Sequence, residues 1–125
     1  MAGPSASKEE LLLNGIELFN NGRFFEAHEL WEEAWKRSGG AEKTLYQGLI
    51  HAAAAVIHTR RGNRDGAQSQ FGKCAARLTP LAPRFMGLAL EQLLADLRTY
   101  VEASRKDKND DPLDSPPPVI RVASA

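Results

Sequence analysis

The chain has 125 residues, 42% hydrophobic and 26% charged, and its 16 basic and 16 acidic side chains cancel to a formal net charge of zero. That is the length of one domain, since a single core commonly organises about 100 to 150 residues, and collagen, wholesale disorder and a disulfide scaffold are excluded. The lone Cys74 cannot form an internal bridge and fits a reducing compartment. Neutrality removes the usual reason to expect nucleic acid or an anionic membrane as partner, and no apolar run approaches the ~20 residues that span a bilayer. The first apolar triplet follows Lys8, Glu9 and Glu10, unlike a signal peptide, so the expected setting is the cytoplasm.

Residues 1–6 are a lead with no core-forming content, expected to fray. Order is expected from Ser7, which with Glu10 makes a capping box. Leu12, Leu13, Ile16 and Phe19 or Leu18 then recur at helical spacing until Asn20, Asn21 and Gly22 stop the helix. A second helix is predicted from about Arg23 to Arg37, burying Phe24, Ala27, Leu30 or Trp31, Ala34 and Trp35. The third, Glu42 to Arg61, is apolar around most of its circumference, which marks a helix surrounded by others. Its four consecutive alanines, residues 52–55, let neighbours approach closely. A fourth helix opens near Arg64 or Asp65 with Ala67, Phe71, Cys74, Ala75 and Leu78 inward, and Pro80 and Pro83 break the chain after it. The fifth is predicted from about Arg84 or Phe85 to Glu102, with Leu88, Leu90, Leu93, Leu94, Leu97 and Val101 as its stripe. No alternating β pattern competes. Residues 104–125 read as a polar, proline-rich tail, yet Val119, Ile120 and Val122 within it suit docking, on the bundle or on a second copy as a homodimer.

Two hairpins share a register. Gly22, Ala27, Trp31 and Ala34 are matched forty residues on by Gly62, Ala67, Phe71 and Cys74, whereas Gly15 and Ile16 are matched thirty-three on by Gly48 and Leu49. The difference of seven is two helical turns, so the second hairpin has a longer first helix on the same plan. Both halves resemble the tetratricopeptide pattern, but two units fall below the three that a solenoid needs. The expected fold is all-α: a compact bundle of about five helices, built from two related hairpins plus a C-terminal helix, within residues 7–103.

The densest polar constellation lies on the second helix. His28 and Glu32 are four apart and share a face, and Trp35 continues the stripe. On the third helix Gln47, His51 and His58 form another stripe, with spacings of four and seven. Packed face to face, these helices would assemble His28, Glu32, Gln47, His51 and His58 beside Trp35. Imidazole and carboxylate suit a divalent transition metal, for which His28, Glu32 and His58 are the candidate ligands. Against this, the chain lacks the paired Glu-x-x-His of di-iron bundles and the His-Glu-x-x-His of metalloproteases. The blander alternative is a hydrogen-bonded cluster satisfying buried polar groups, under a small-molecule pocket. The second hairpin carries Gln68 and Gly72 where the first has His28 and Glu32, so packing alone does not require the imidazole and carboxylate.

The runs GRFFEAHELWEEAW, YQGLIHAAAAVIH and GNRDGA resemble a small all-helical family catalogued as a domain of unknown function, number 309. The similarity runs from Leu12 to about Leu81. It implies a helical bundle whose motif positions are occupied here by Phe25, Glu26, His28, Glu29, Trp35, Gln47, Gly48, His58, Gly62, Asn63, Gly66 and Ala67, and it carries no established activity. Three functions follow as expectations: a binding bundle for a small ligand or metal at the His/Glu/Gln cluster, a tetratricopeptide-like interaction module, or a metal-dependent hydrolase.

Overall fold

The computed structural model describes residues 6–106 and 116–122, with side chains to residue 103 in the last helix. Five helices follow one another: α1 (Lys8–Asn20), α2 (Phe24–Lys36), α3 (Gly40–Arg60), α4 (Arg64–Leu78) and α5 (Leu90–Lys106). The all-α expectation holds, and each helix packs on its neighbour in sequence, with α3 also reaching α5. The capping box is present: Ser7 Oγ accepts from Glu10 N–H while Glu10 Oε1 accepts from Ser7 N–H. The starts of α1 and α3 are tied together by an ion pair from Lys8 to Glu42 at 2.6 Å and by Tyr46 Oη donating to the Lys8 carbonyl. The core runs through Trp31, Tyr46, Leu45, Leu49, Leu78 and Leu93, all fully buried. Expectations for residues 1–5, 107–115 and 123–125 lie outside the described residues; Ala6, at the end of the predicted lead, is buried.

The two hairpins turn alike. Gly22 and Gly62 have φ of +84° and +75°, a conformation that costs glycine nothing. Arg23 N–H donates to the Leu18 carbonyl and Asn63 N–H to the His58 carbonyl, both at 2.9 Å and forty residues apart. The close-approach glycines obey the same register. Gly15 lies seven residues before Gly22 and meets Trp31, nine residues after it; Gly48 lies fourteen before Gly62 and meets Leu78, sixteen after. The longer α3 has moved its glycine contact two turns further from the loop.

One stretch departs from the predicted helices. Residues 84–89 form a β-hairpin, β1 (Arg84–Phe85) and β2 (Leu88–Ala89), before α5 begins at Leu90. Met86 and Gly87 both have positive φ, 50° and 78°, as a two-residue type I′ turn demands. Pro83 precedes the hairpin, and its carbonyl accepts from Leu90 and Glu91 N–H, satisfying the first amides of α5. The helical spacing of Leu88 with the later leucines therefore reflects burial of β2 beside the helix, rather than helix itself.

Candidate functional site

The polar residues singled out on α2 and α3 fall into separate groups, of which one lies at the α2/α3 seam. His28 and His58 line one cleft of about 140 Å³ together with Phe25, Ala54, Ile57 and Arg61. Ala54 belongs to the alanine run whose other members are fully buried or face inward; at this position the small side chain keeps the cleft open. Phe25, 62% exposed, lies nearly parallel to the His28 ring at a centroid distance of 6.1 Å. His28 Nδ1 is buried and has no hydrogen-bond partner among the described residues. The Glu32 carboxylate comes only within 3.9 Å of it and is half exposed, too far for a hydrogen bond. An orphaned ring nitrogen beside a cleft is the kind of polar group that a ligand satisfies.

His58 is held by the turn after α3. Asn63 caps α4 by accepting from Gly66 N–H with Oδ1 at 3.0 Å, and its Nδ2 donates to His58 Nδ1 at 3.1 Å. With Nδ1 accepting, the His58 proton sits on Nε2. A Cβ on Gly66 would approach His58 Nδ1 to 2.9 Å, so a side chain there would displace the ring. Asn63 is absent from the predicted polar cluster; its signal is the Asn-x-x-Gly spacing at a helix start, with a histidine five residues upstream.

His51 has a different partner from the one its stripe suggested. Its Nδ1 lies 2.7 Å from Gln70 Oε1 on α4, so it pairs across α3/α4. Gln47, one turn earlier, is half-buried and, like Glu32 and His51, lies outside the lining of the cleft. Trp35 is also set apart: the Lys43 ammonium stands 4.5 Å from its ring centroid, and its Nε1 is buried with no partner among the described residues. The predicted single cluster is thus divided: His28 and His58 line one cleft, His51 pairs with Gln70 on α4, and Glu32, Gln47 and Trp35 lie outside the cleft lining. Among the described residues no group of three or more His, Cys, Asp or Glu could hold a metal ion, which separates the candidate set His28, Glu32 and His58.

Burial holds the His51 imidazole below its ordinary range, opposed by the Gln70 hydrogen bond and reinforced by Lys73, Arg77 and His28 nearby. A histidine depressed in the folded state takes up its proton first in the unfolded chain. Stability contributed by His51 is therefore present above ~6.5, the unfolded value, and lost as pH falls through the folded value. Urea midpoints between about pH 7.5 and 5 should fall with acidity, and His51→Gln should flatten that slope; an unchanged slope would remove His51 as its source.

A second opening adjoins the first. Phe25, Ile57 and Arg61 also line a cleft of about 380 Å³ with Gly22, Arg23, Phe24, Glu26 and Arg60. Arg23 is bound to Glu26 at 2.6 Å, and the Arg60 guanidinium stands 5.5 Å from the Phe24 ring centroid. The mouth is thus rich in arginine, whose charge persists at any physiological pH.

No described helix is long and apolar enough to cross a membrane. Among known proteins, an uncharacterized protein of Aquifex aeolicus (strain VF5) is 31% identical over 94 residues, covering 74% of this chain and 27% of its own length. The chain therefore spans about a quarter of that relative. The family model described as "Domain of unknown function (DUF309)" matches residues 12–70. The matched stretch contains every residue that lines the α2/α3 cleft, along with Asn63, Gly66 and Gln70. The helical segment that builds the seam, residues 12–70, thus matches the DUF309 family model.

Proposed function

We propose that the domain is a small-ligand binding module whose site is the α2/α3 cleft, and that its ligand is a small organic anion with an apolar body. The observation that carries this is the convergence of His28, His58 and Arg61 on one cleft floored by Ala54, Ile57 and Phe25. Arg61, with Arg60 at the adjoining mouth, supplies fixed positive charge. The carboxylates nearby are Glu26, already bound to Arg23, and Glu32, half exposed. The cleft is smaller than the ~300 Å³ at which drug-sized pockets begin, which points to a short-chain carboxylate or similar compact anion. A metal has less support, because the imidazoles lack a third ligand among the described residues. The buried, unbridged Cys74, its thiol pushed up to about 12 by burial, suits a cytoplasmic setting.

Titration with isobutyrate or benzoate, followed by the ring resonances of His28 and His58, tests the proposal. Saturable shifts of both rings are expected. Arg61→Ala should weaken binding about tenfold, the loss of a hydrogen bond to a charged group being ~1.5 kcal/mol. Ala54→Leu should fill the cleft and abolish the response while leaving the helical spectrum unchanged. Absence of any saturable shift at millimolar probe overturns the proposal, and stoichiometric zinc uptake perturbing both histidines would replace the anion with a metal.

A further inference from the structure

Residues 116–122 lie beyond the family match, yet they are held in an extended conformation between the end of α1 and β2. Asn20 Nδ2 donates to the Ile120 carbonyl at 2.8 Å, and Asn20 Oδ1 accepts from Ile120 N–H at 2.7 Å. One side-chain amide thus supplies both hydrogen bonds that a neighbouring strand would give. On the hairpin side, Ala89 N–H donates to the Arg121 carbonyl at 3.0 Å, and Val122 bridges Leu88 in antiparallel sense. Side chains alternate: Pro118 is buried, Val119 37% exposed, Ile120 only 2% exposed, and Arg121 exposed. The segment therefore runs beside the hairpin, joined to it by a single antiparallel bridge at the exposed Val122, with Pro118 and Ile120 as buried anchors.

Of its anchoring features, the backbone hydrogen bonds carry no sequence information, so selection rests on the two buried side chains, Pro118 and Ile120. This is the logic of strand addition, in which an exposed edge accepts an extended peptide and alternate side chains specify it. We propose that the groove between Asn20 and β2 is a peptide-binding site for an extended partner segment of proline or apolar, any residue, β-branched spacing, and that residues 116–122 are its resident competitor. The partner's chemistry is read from the resident, whose backbone and anchors fit the groove. Competition follows from the tether: a segment on the same chain is present at an effective concentration of order millimolar, which an outside peptide must exceed. The inference is independent of the anion site, which lies between α2 and α3.

The test uses the full-length protein and a labelled, end-capped peptide of the sequence PPPVIRV. Ile120→Asp should free the groove, so that the peptide binds this variant at least ~tenfold more tightly than the unmodified protein. Adding Asn20→Ala to Ile120→Asp should weaken that binding, and a peptide with Asp in place of its isoleucine should not bind. A folded Ile120→Asp variant that ignores the peptide, or equal binding to both proteins, overturns the proposal. A concentration-dependent dimer that Ile120→Asp dissolves would replace the outside partner with a second copy. Should Ile120→Asp fail to fold, hydrogen exchange on the unmodified chain decides. Ile120 N–H is then expected to exchange much faster than the amides of Leu49 and Val56, through opening of the segment alone, and equal protection would show that the resident does not exchange.

Discussion

Trp31→Ala should lower the stability of this domain by about 3 to 5 kcal/mol, read as a shift of the urea midpoint at constant slope. Trp31 is fully buried, lies over Gly15, and packs against Phe19 with ring centroids 5.9 Å apart. Removing the indole forfeits its transfer free energy and leaves a cavity whose walls, α1 and α2, are tied by a short turn and can close only in part. The hydrogen bond from Trp31 Nε1 to the Leu12 carbonyl, at 3.4 Å, adds little, because that carbonyl also serves the helix ladder of α1. Domains of this size are stable by only ~5 to 15 kcal/mol, so a large share of the variant should unfold on mild heating. Trp35→Ala should cost less. Trp35 is half-buried, and its indole N–H is buried without an acceptor among the described residues, so part of what packing contributes is offset by desolvation of that donor. Equal losses at the two tryptophans would show that Trp35 belongs to the core on the same terms as Trp31.

The legible parts of the fold are those whose physics is local. Helical periodicity, the Ser7–Glu10 cap and the glycine turns at residues 22 and 62 each depend on residues within a few positions of one another, so their spacing survives in the sequence. The β-hairpin does not: strands of two residues are too short to alternate, and a type I′ turn built on Met86 and Gly87 lacks the Asn-Gly signature that would announce it. The seam is legible only in part, for a different reason. Spacing places His51 and His58 on one stripe of α3, but that stripe faces the groove lines toward both α2 and α4. Which neighbour each ring meets depends on helix rotation, and that is set by packing of the whole bundle. His51 finds Gln70 on α4, whereas His58 turns into the α2 cleft because Asn63 holds its Nδ1 and Gly66 leaves room for the ring.

Gly15→Ala and Gly72→Ala make the same chemical change in two helices, and opposite signs are expected. Alanine is favoured over glycine inside a helix by about 1 kcal/mol, a gain available at both positions. Gly72 is exposed on α4 with nothing within 4 Å of where its Cβ would stand, so the propensity gain should appear nearly whole, as a rise in the urea midpoint. Gly15 is buried, and its Cβ would overlap Trp31 Nε1, with Trp31 Cε2 and Cδ1 at 2.7 and 2.8 Å. Those atoms belong to a rigid ring fixed by the core, so relief requires α1 and α2 to move apart. Overpacking of this kind costs ~1 to 3 kcal/mol, enough to exceed the propensity gain and leave a net loss. Gly48 gives an intermediate case: its nearest atoms are the Cδ2 and Cγ of Leu78, with Arg77 Cβ at 3.2 Å, and the aliphatic Leu78, though fully buried, can repack where a rigid indole cannot. The expected order of stability is therefore Gly72→Ala above the unmodified protein, with Gly48→Ala below it and Gly15→Ala lowest. If Gly15→Ala matched Gly72→Ala, the α1/α2 interface would have slack, and the shared register of the two hairpins would follow from their turns rather than from close approach of their helices.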